Sequence, residues 1–211
     1  MDITWYGHAC FRLKSREAIV VTDPYDKSLG LSLPSLKADI VTVSHNTPHH
    51  NHTHAVKGDF VLINSPGEYE LKGIFVTGVH MTPAKNAKTA VQNNVFVIYI
   101  DDVAVCHLGD LEYVPTQKQV EDMGDIDVLL VPVGGLSALK AGQAAEVISL
   151  IEPRLVIPMH YKLPNLTLKL DPVSKFLQEM GLTKTDTTEN LKVTKDGLPE
   201  ETQVVLLEAK A

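Results

Sequence analysis

Short apolar runs separated by turn residues fill the first half of the sequence, and this pattern constrains the fold more than any other feature. Each run is too short for an ordinary helix and is rich in β-branched or aromatic residues, as strands are. The runs cover residues 2–6, 10–14, 18–22, 39–44, 60–64 and 74–77. The first half is therefore predicted to form β-sheet.

Further strands are predicted in the second half. Residues 95–101 and 103–107 flank Asp102 as the two arms of a hairpin. Residues 126–131 and 155–157 are continuous apolar runs, which are typical of strands covered on both faces. Residues 191–194 and 203–207 return to a strand pattern near the end of the chain.

Helical patterns lie between these later strands. Residues 116–123 are followed by Gly124, and residues 142–151 place apolar side chains at helical spacing. Over residues 171–180, Asp171 is predicted to cap a helix, Pro172 to occupy its first position and Gly181 to end it. With no repeat or linker visible, residues 1–211 are predicted to form one domain, a β-sandwich covered by helices.

Composition restricts the classes of function. Hydrophobic residues make up 44% and charged residues 21% of the chain, as in folded proteins, and the net charge of −7 with scattered Lys and Arg disfavours nucleic-acid binding. Cys10 and Cys106 lie in apolar runs and are predicted to be buried free thiols. No signal peptide or membrane-spanning run is recognised, so a cytoplasmic location is expected. A small-molecule substrate is expected as partner, and homo-oligomerisation stays open.

Metal-binding side chains follow three of the predicted strands. Five histidines fall within ten positions after the run DIVTV: His45, His49, His50, His52 and His54. Asp110 follows VAVCH, and His160 follows LVIPM. Imidazole and carboxylate are preferred ligands of zinc, and strand ends bring distant residues together on a rigid support. The pattern therefore favours a zinc site.

Structural explanations stand beside that hypothesis. A histidine-rich loop is often only a solvated loop, and an aspartate after glycine often only caps a turn. His160 alone could be a hydrogen-bonded core histidine. His107, inside a predicted strand, is expected to be buried and hydrogen-bonded, whereas His52 and His54 are expected to be exposed. Glu68 is expected to be a turn or packing residue.

Several motifs in order resemble one known family. The motifs GHACF, TDP, PGEYE, CHLGDLEY, IDVLLVPVGG and VIPMHYK resemble the metallo-β-lactamase fold, in the branch with ascorbate-phosphate-lactonase-like proteins and Zn-dependent hydrolases. The resemblance covers essentially the whole chain. The resemblance implies an α/β (α+β) fold, a four-layer αββα sandwich. It also implies up to two zinc ions, held by an HxHxDH loop, a later histidine, a GD aspartate and a final histidine.

This sequence departs from the family's ligand pattern. His45 and His50 match the first and last histidines of the HxHxDH loop, but Thr47 replaces the second histidine and His49 replaces the aspartate. Pro83 stands where the later histidine is expected, and His80 lies three residues before it. The first zinc site implied by the resemblance is therefore expected to be lost.

A single zinc, or another divalent metal, is the resulting expectation. Asp110 and His160 match the family's remaining ligands, and the predicted metal residues are His45, His49, His50, Asp110 and His160. Asp110 and His8 are the predicted catalytic residues, and Asp23 is expected to orient a ligand histidine.

Hydrolysis of a lactone, ester or phosphodiester is the predicted activity. An inactive scaffold with a binding or structural role is the alternative, and a metal-storage module is a third interpretation.

Overall fold

The computed structural model describes residues 1–82, 92–183, 185 and 187–211. Its strands alternate buried and exposed side chains where one face meets the core, and are fully buried where both faces are covered. In chain order they are β1 (Asp2–Trp5), β2 (Phe11–Lys14), β3 (Ile19–Thr22), β4 (Leu36–Lys37), β5 (Ile40–Thr42), β6 (Val56–Lys57), β7 (Val61–Ile63), β8 (Gly67–Leu71), β9 (Ile74–Met81), β10 (Asn93–Ile100), β11 (Val103–His107), β12 (Val128–Pro132), β13 (Leu155–Met159), β14 (Thr187–Thr188), β15 (Leu191–Lys192), β16 (Gln203–Val204) and β17 (Leu206–Leu207).

Two large sheets pack face to face. Over the residues that the structure describes, one has six strands in the order β15-β1-β2-β3-β5-β7, and the other has seven in the order β16-β13-β12-β11-β10-β9-β8. Strands β11, β12 and β13 are parallel to one another, so their carboxyl ends meet at one edge of the sandwich. Strands β3 and β5 of the first sheet are also parallel.

The main core lies between these sheets. Trp5, Phe11 and Val20 from the first sheet join Phe96, Val105 and other fully buried residues of the second. On the opposite face of the first sheet, Val21 and Val41 belong to a second, smaller cluster. This cluster is closed by the 3-10 turn Lys27–Leu29 and by loop residues such as Leu166, which form the outer layer there.

The described residues of the second half of the chain form three α-helices: α1 (Gln117–Met123), α2 (Ala141–Ile151) and α3 (Val173–Glu179). Helix α1 begins with a capping box, in which the Thr116 hydroxyl accepts from the Gln119 amide and the Gln119 side chain accepts from the Thr116 amide. Helices α1 and α2 contact β9 and β12, and α3 packs on α2, which covers the seven-stranded sheet. The predicted α/β (α+β) class, with two sheets packed as a sandwich, is confirmed.

Two local predictions were wrong. Helix α3 begins at Val173 with Pro172 as its N-cap, not at Asp171. The backbone of Asp171 instead bonds to Gly134 and Lys162, which keeps that residue outside the helix. Glu68 does not lie in a turn but in β8, an exposed edge strand paired with β9, because the chain bends earlier, at Ser65 and Pro66.

Cys10 and Cys106 are free and buried, as predicted. The longest α-helix of the described residues, α2, has 11 residues, whereas a membrane span needs about 20, so none of the described helices could cross a bilayer.

Candidate metal centre

Four side chains converge at the edge where strands β11, β12 and β13 end. Asp110 follows β11, His160 follows β13, His50 lies in the loop after β5, and His8 lies in the turn between β1 and β2. Each offers one nitrogen or oxygen atom, and these four atoms all lie within 4.8 Å of one another. All four residues are buried. This group, His8, His50, Asp110 and His160, is called the ligand cluster below.

Polar atoms of the ligand cluster lie within hydrogen-bond distance of one another. Nε2 of His50 lies 3.0 Å from Nε2 of His8 and 3.3 Å from Oδ2 of Asp110. Nε2 of His160 lies 3.3 Å from Oδ1 of Asp110. Four nitrogen and oxygen atoms of types that bind metal therefore face one another across a small space.

The ligand cluster also concentrates unsatisfied polar atoms. Among the described residues, seven buried side-chain atoms lack a hydrogen-bond partner, and four of these belong to His8, Asp110 and His160. Buried polar groups are nearly always paired, because an unpaired one loses its hydration without compensation. The arrangement fits a divalent cation as the missing partner, since neutral imidazoles and a carboxylate are the donors that zinc and similar metals accept.

Backbone strain accompanies this arrangement. The φ angles of His8, Asp23 and His160 are +50°, +38° and +51°, in the left-handed region that residues other than glycine rarely adopt. Such residues cluster at functional sites, where the surrounding structure holds them in place. The backbone amide of His160 donates to the carbonyl of His8 at 3.1 Å, which ties two of the strained turns together.

Asp23 fixes the orientation of His50. Its Oδ2 accepts from Nδ1 of His50 at 2.8 Å, while its two oxygens also accept from the backbone amide and hydroxyl of Ser44 at 2.7 and 2.5 Å. Because Nδ1 carries the proton, Nε2 is the atom that faces the ligand cluster. This is the role that the sequence suggested for Asp23.

The ligand cluster pairs a negative carboxylate with a positive charge. Burial acts to raise the pKa of Asp110, but His160 and His50 outweigh it and hold that pKa well below its usual range. Burial acts to lower the pKa of His50, but Asp110 and Asp23 outweigh it and raise that pKa to about 10. A protonated His50 thus places positive charge beside Asp110, where a metal ion would replace the proton on Nε2.

The turn that presents Asp110 is held from two sides. The side-chain oxygen of Asn93 accepts from the Asp110 amide at 3.0 Å, and its nitrogen donates to the Leu108 carbonyl at 2.9 Å. His107 is buried, as predicted, and donates from Nε2 to the Ala9 carbonyl at 2.8 Å while Nδ1 accepts from the Gly109 amide. Asn93 was not anticipated from the sequence, because it belongs to the neighbouring strand β10.

His45 lies beside the ligand cluster rather than inside it. Its Nε2 is 3.9 Å from Oδ2 of Asp110 and 3.3 Å from the Thr47 hydroxyl. The Ser44 hydroxyl donates to Asp23 and therefore accepts from Nδ1 of His45. This leaves the lone pair of His45 on Nε2. Burial, followed by the charge of His50, lowers the pKa of His45, so its imidazole is neutral at pH 7.

The remaining histidines named in the sequence do not join the ligand cluster. His49 is half-buried, and its Nε2 lies 3.3 Å from the Ser28 hydroxyl. His52 is half-buried and His54 is exposed in the following turn. His80 is exposed, with Nδ1 3.2 Å from Oδ1 of Asn94. Pro83 lies outside the described residues. The structure therefore places His8 where the sequence favoured His49.

A cavity of about 140 Å³ opens above the ligand cluster. Thr47, Ser137, Leu136 and Leu168 help to line it, together with Glu112. The Ser137 hydroxyl donates to Oδ2 of Asp110 at 3.1 Å. Burial and the neighbouring Asp110 raise the pKa of Glu112. The ligand cluster is thus accessible to a small reactant.

Comparison with known proteins agrees with the fold and the motifs. Residues 2–160 match the family described as Beta-lactamase superfamily domain. A UPF0173 metal-dependent hydrolase from Methanoculleus marisnigri is 33% identical over 185 residues, covering 76% of this chain and 81% of that protein. A UPF0173 protein from Pyrococcus abyssi is 28% identical over 179 residues, covering 76% of this chain and 83% of the relative.

A solved structure is similar over nearly the whole chain. It is that of a metallo-β-lactamase superfamily protein from Thermotoga maritima, with a TM-score of 0.81 and 40% identity, covering 98% of this chain and 97% of the other. From the family match, the sequence relatives and this structure, the chain belongs to the metallo-β-lactamase superfamily and, within it, to the UPF0173 proteins.

Proposed function

We propose that this protein is a metal-dependent hydrolase with one divalent ion, zinc in the first instance, held by His8, His50, Asp110 and His160. The observation that carries the proposal is the convergence of three buried imidazoles and a buried carboxylate, among which four side-chain atoms lack a hydrogen-bond partner. The relative from Methanoculleus marisnigri is named a metal-dependent hydrolase, and the Thermotoga maritima structure is described as a candidate Zn-dependent hydrolase.

An ion at this position supplies Lewis-acid stabilisation of developing negative charge and lowers the pKa of a nearby water. Asp110 and the three imidazoles hold it, and Asp23 keeps Nε2 of His50 directed inward. The Ser137 hydroxyl occupies one lone pair of Asp110 and so restricts how that carboxylate turns. The protein's contribution is therefore a rigid, pre-oriented set of donors.

His45 is proposed to accept a proton during hydrolysis. Its Nε2 carries the lone pair of a ring that is neutral at pH 7, this atom contacts the Thr47 hydroxyl at 3.3 Å, and His45 borders the cavity. A neutral imidazole at the edge of a reaction site suits a general base. His8, which the sequence suggested as a catalytic residue, is assigned instead to metal binding because it lies within the ligand cluster.

The substrate is proposed to be a small lactone, ester or phosphodiester. The cavity of about 140 Å³ admits a reacting group with few attached atoms, since pockets for drug-sized ligands are several times larger. A cytoplasmic setting is proposed with it, which suits two buried free thiols.

Metal content and turnover measured on the same samples test this function. Protein purified without an affinity tag should contain one zinc per chain and hydrolyse dihydrocoumarin, p-nitrophenyl acetate or bis(p-nitrophenyl) phosphate in proportion to occupancy. His160→Ala should lose both zinc and turnover, whereas His54→Ala, an exposed position in the same histidine-rich region, should retain both. Two equivalents surviving mild chelation would refute the single-ion site, and full occupancy with no hydrolysis would favour a non-catalytic binding protein.

A further inference from the structure

An exposed leucine stands at the mouth of the metal centre. Leu136 borders the cavity above the ligand cluster, its side chain is 67% exposed, and its φ angle is +63°. Exposing a large apolar side chain gains nothing for folding, and a left-handed φ costs stability in any residue other than glycine. Neither property benefits the isolated chain, so both point to a contact that forms when a reactant is bound.

The loop that carries Leu136 is firmly held. Gly134 pairs with Lys140 as a β-bridge, the Gly135 amide donates to the Leu139 carbonyl at 3.0 Å, and the Leu139 amide donates to the Leu111 carbonyl at 2.8 Å. The neighbouring Ser137 donates to Asp110. Leu136 is therefore held beside the ligand cluster by a rigid loop, as a positioned contact must be.

The chemistry around Leu136 favours an uncharged, partly apolar reactant. Leu168, half-buried, also lines the cavity, so two leucines border the same opening. The carboxyl groups of Asp110 and Glu112 lie in the same lining, and none of its described residues is lysine or arginine. With the proposed divalent ion bound, these two carboxylates offset its charge, so the lining offers an anionic reactant no net positive charge, whereas apolar atoms gain from leaving water against leucine.

We propose that Leu136, with Leu168, binds the apolar acyl group of a neutral ester or lactone, and that Leu136 determines specificity for that group. The inference rests on the proposed hydrolase function and narrows its substrate class. In the reaction, the acyl carbon–oxygen bond breaks, water supplies the new oxygen, and the alcohol leaves with a proton. The small cavity admits the reacting carbonyl, so the acyl chain must lie at the mouth, against Leu136.

A series of p-nitrophenyl esters tests this specificity. With zinc-loaded protein, kcat/KM should rise from acetate to butanoate to hexanoate by about threefold for each methylene that Leu136 covers. Leu136→Ala should remove most of the dependence of kcat/KM on chain length. It should lower kcat/KM for the hexanoate ester about tenfold or more while changing kcat/KM for the acetate ester little. Leu136→Asn, whose side chain tolerates the left-handed backbone, should give the same flattening in a loop of unchanged geometry. Leu150→Ala, an exposed leucine on α2, is the matched control.

Binding measured without turnover separates this inference from the proposed function. Zinc-loaded protein is titrated calorimetrically with acetohydroxamic, butanohydroxamic and hexanohydroxamic acids, which bind metal through one group and vary only in chain length. Chain-dependent affinity that is lost in both Leu136 variants, with no ester hydrolysed, would remove the hydrolase function and leave the apolar contact standing. The acyl-binding role of Leu136 would be overturned if turnover and affinity did not depend on chain length, or if the Leu136 variants kept the wild-type dependence. It would also be overturned if neither hydrolysis nor hydroxamate binding occurred, or if bis(p-nitrophenyl) phosphate were cleaved faster than any ester.

Discussion

Nδ1 of His50 donates to Oδ2 of Asp23 at 2.8 Å, and both side chains are almost completely buried. The pair links His50, one of the proposed metal ligands, to a carboxylate that is itself held by the amide and hydroxyl of Ser44. Carboxylate–histidine pairs of this kind fix the tautomer and direction of a metal ligand. The relationship therefore makes the metal affinity depend on a residue outside the ligand cluster.

Asp23→Asn should weaken zinc binding about 10- to 100-fold while leaving the fold intact, because the amide keeps an oxygen for Ser44 but no longer carries the charge that holds the His50 proton on Nδ1. Competition with a chromophoric chelator measures the dissociation constant, and circular dichroism checks the fold. Asp171→Asn, at a half-buried site paired with Lys175 and outside the ligand cluster, should bind zinc as the wild type does. Equal affinities in all three proteins would contradict the orienting role.

The choice between His8 and His49 as a ligand can be tested directly. His8→Ala should lower the zinc content well below one equivalent, because His8 lies within the group of four converging donors. His49→Ala should retain one equivalent, because its Nε2 contacts Ser28 instead. Zinc is measured by mass spectrometry after dialysis against a mild chelator. Loss of zinc in the His49 variant alone would restore the ligand set favoured by the sequence.

Strand ends could be predicted from the sequence because apolar runs and turn residues are local signals. These local signals placed Asp110 and His160 correctly after β11 and β13. Asp23 also contacts a histidine, His50, as expected. The β-hairpin around Asp102 and the helix after Thr116 also follow from such patterns. These features depend on residues that are neighbours in the chain.

The contacts around the site could not be predicted in the same way. His49 and His50 are adjacent in sequence, but only His50 points inward, since the orientation depends on Asp23, 27 residues away. His8 enters the ligand cluster through a left-handed turn, which no periodic pattern indicates. Asn93 supports Asp110 through pairing of β10 with β11. Such tertiary contacts become visible only once the chain is folded.

Glycine is the only residue type that fits at position 109. Its φ is +58°, and an added Cβ would lie 2.4 Å from the Asn93 side-chain oxygen and 2.5 Å from Cβ of Ser44. Gly109→Ala should therefore lower the free energy of unfolding by about 2–5 kcal/mol, combining backbone strain with overpacking.

Gly73→Ala provides the comparison for that variant, because Gly73 has a φ of +73° but nothing within 4 Å of an added Cβ. Gly73→Ala should lower the free energy of unfolding by only about 1 kcal/mol, because only the backbone is strained. Urea unfolding of the apoprotein measures both values. Similar losses at the two positions would show that close contact with Asn93 and Ser44 is unimportant.

Acid should destabilise the apoprotein through its buried neutral histidines. Burial holds the pKa of His107 below its ordinary value, and both of its ring nitrogens are already hydrogen-bonded in the neutral form. Because the folded-state pKa is lower than the unfolded one, only the unfolded chain gains this proton just below about pH 6.5. The stabilising contribution is thus complete above about pH 6.5 and is lost as the pH falls towards the folded-state pKa.

His107→Gln tests this contribution, since glutamine can still donate to the Ala9 carbonyl but cannot take up a proton. Urea unfolding in the presence of chelator, between about pH 6.5 and 5, should show a pH dependence shallower than that of the wild type by up to about 1.4 kcal/mol per pH unit. His8 and His45, whose pKa values burial also lowers, preserve the rest of the slope. His54→Gln, at an exposed site, should match the wild-type slope. A His107→Gln slope equal to the wild type would mean that His107 is not held neutral by the fold.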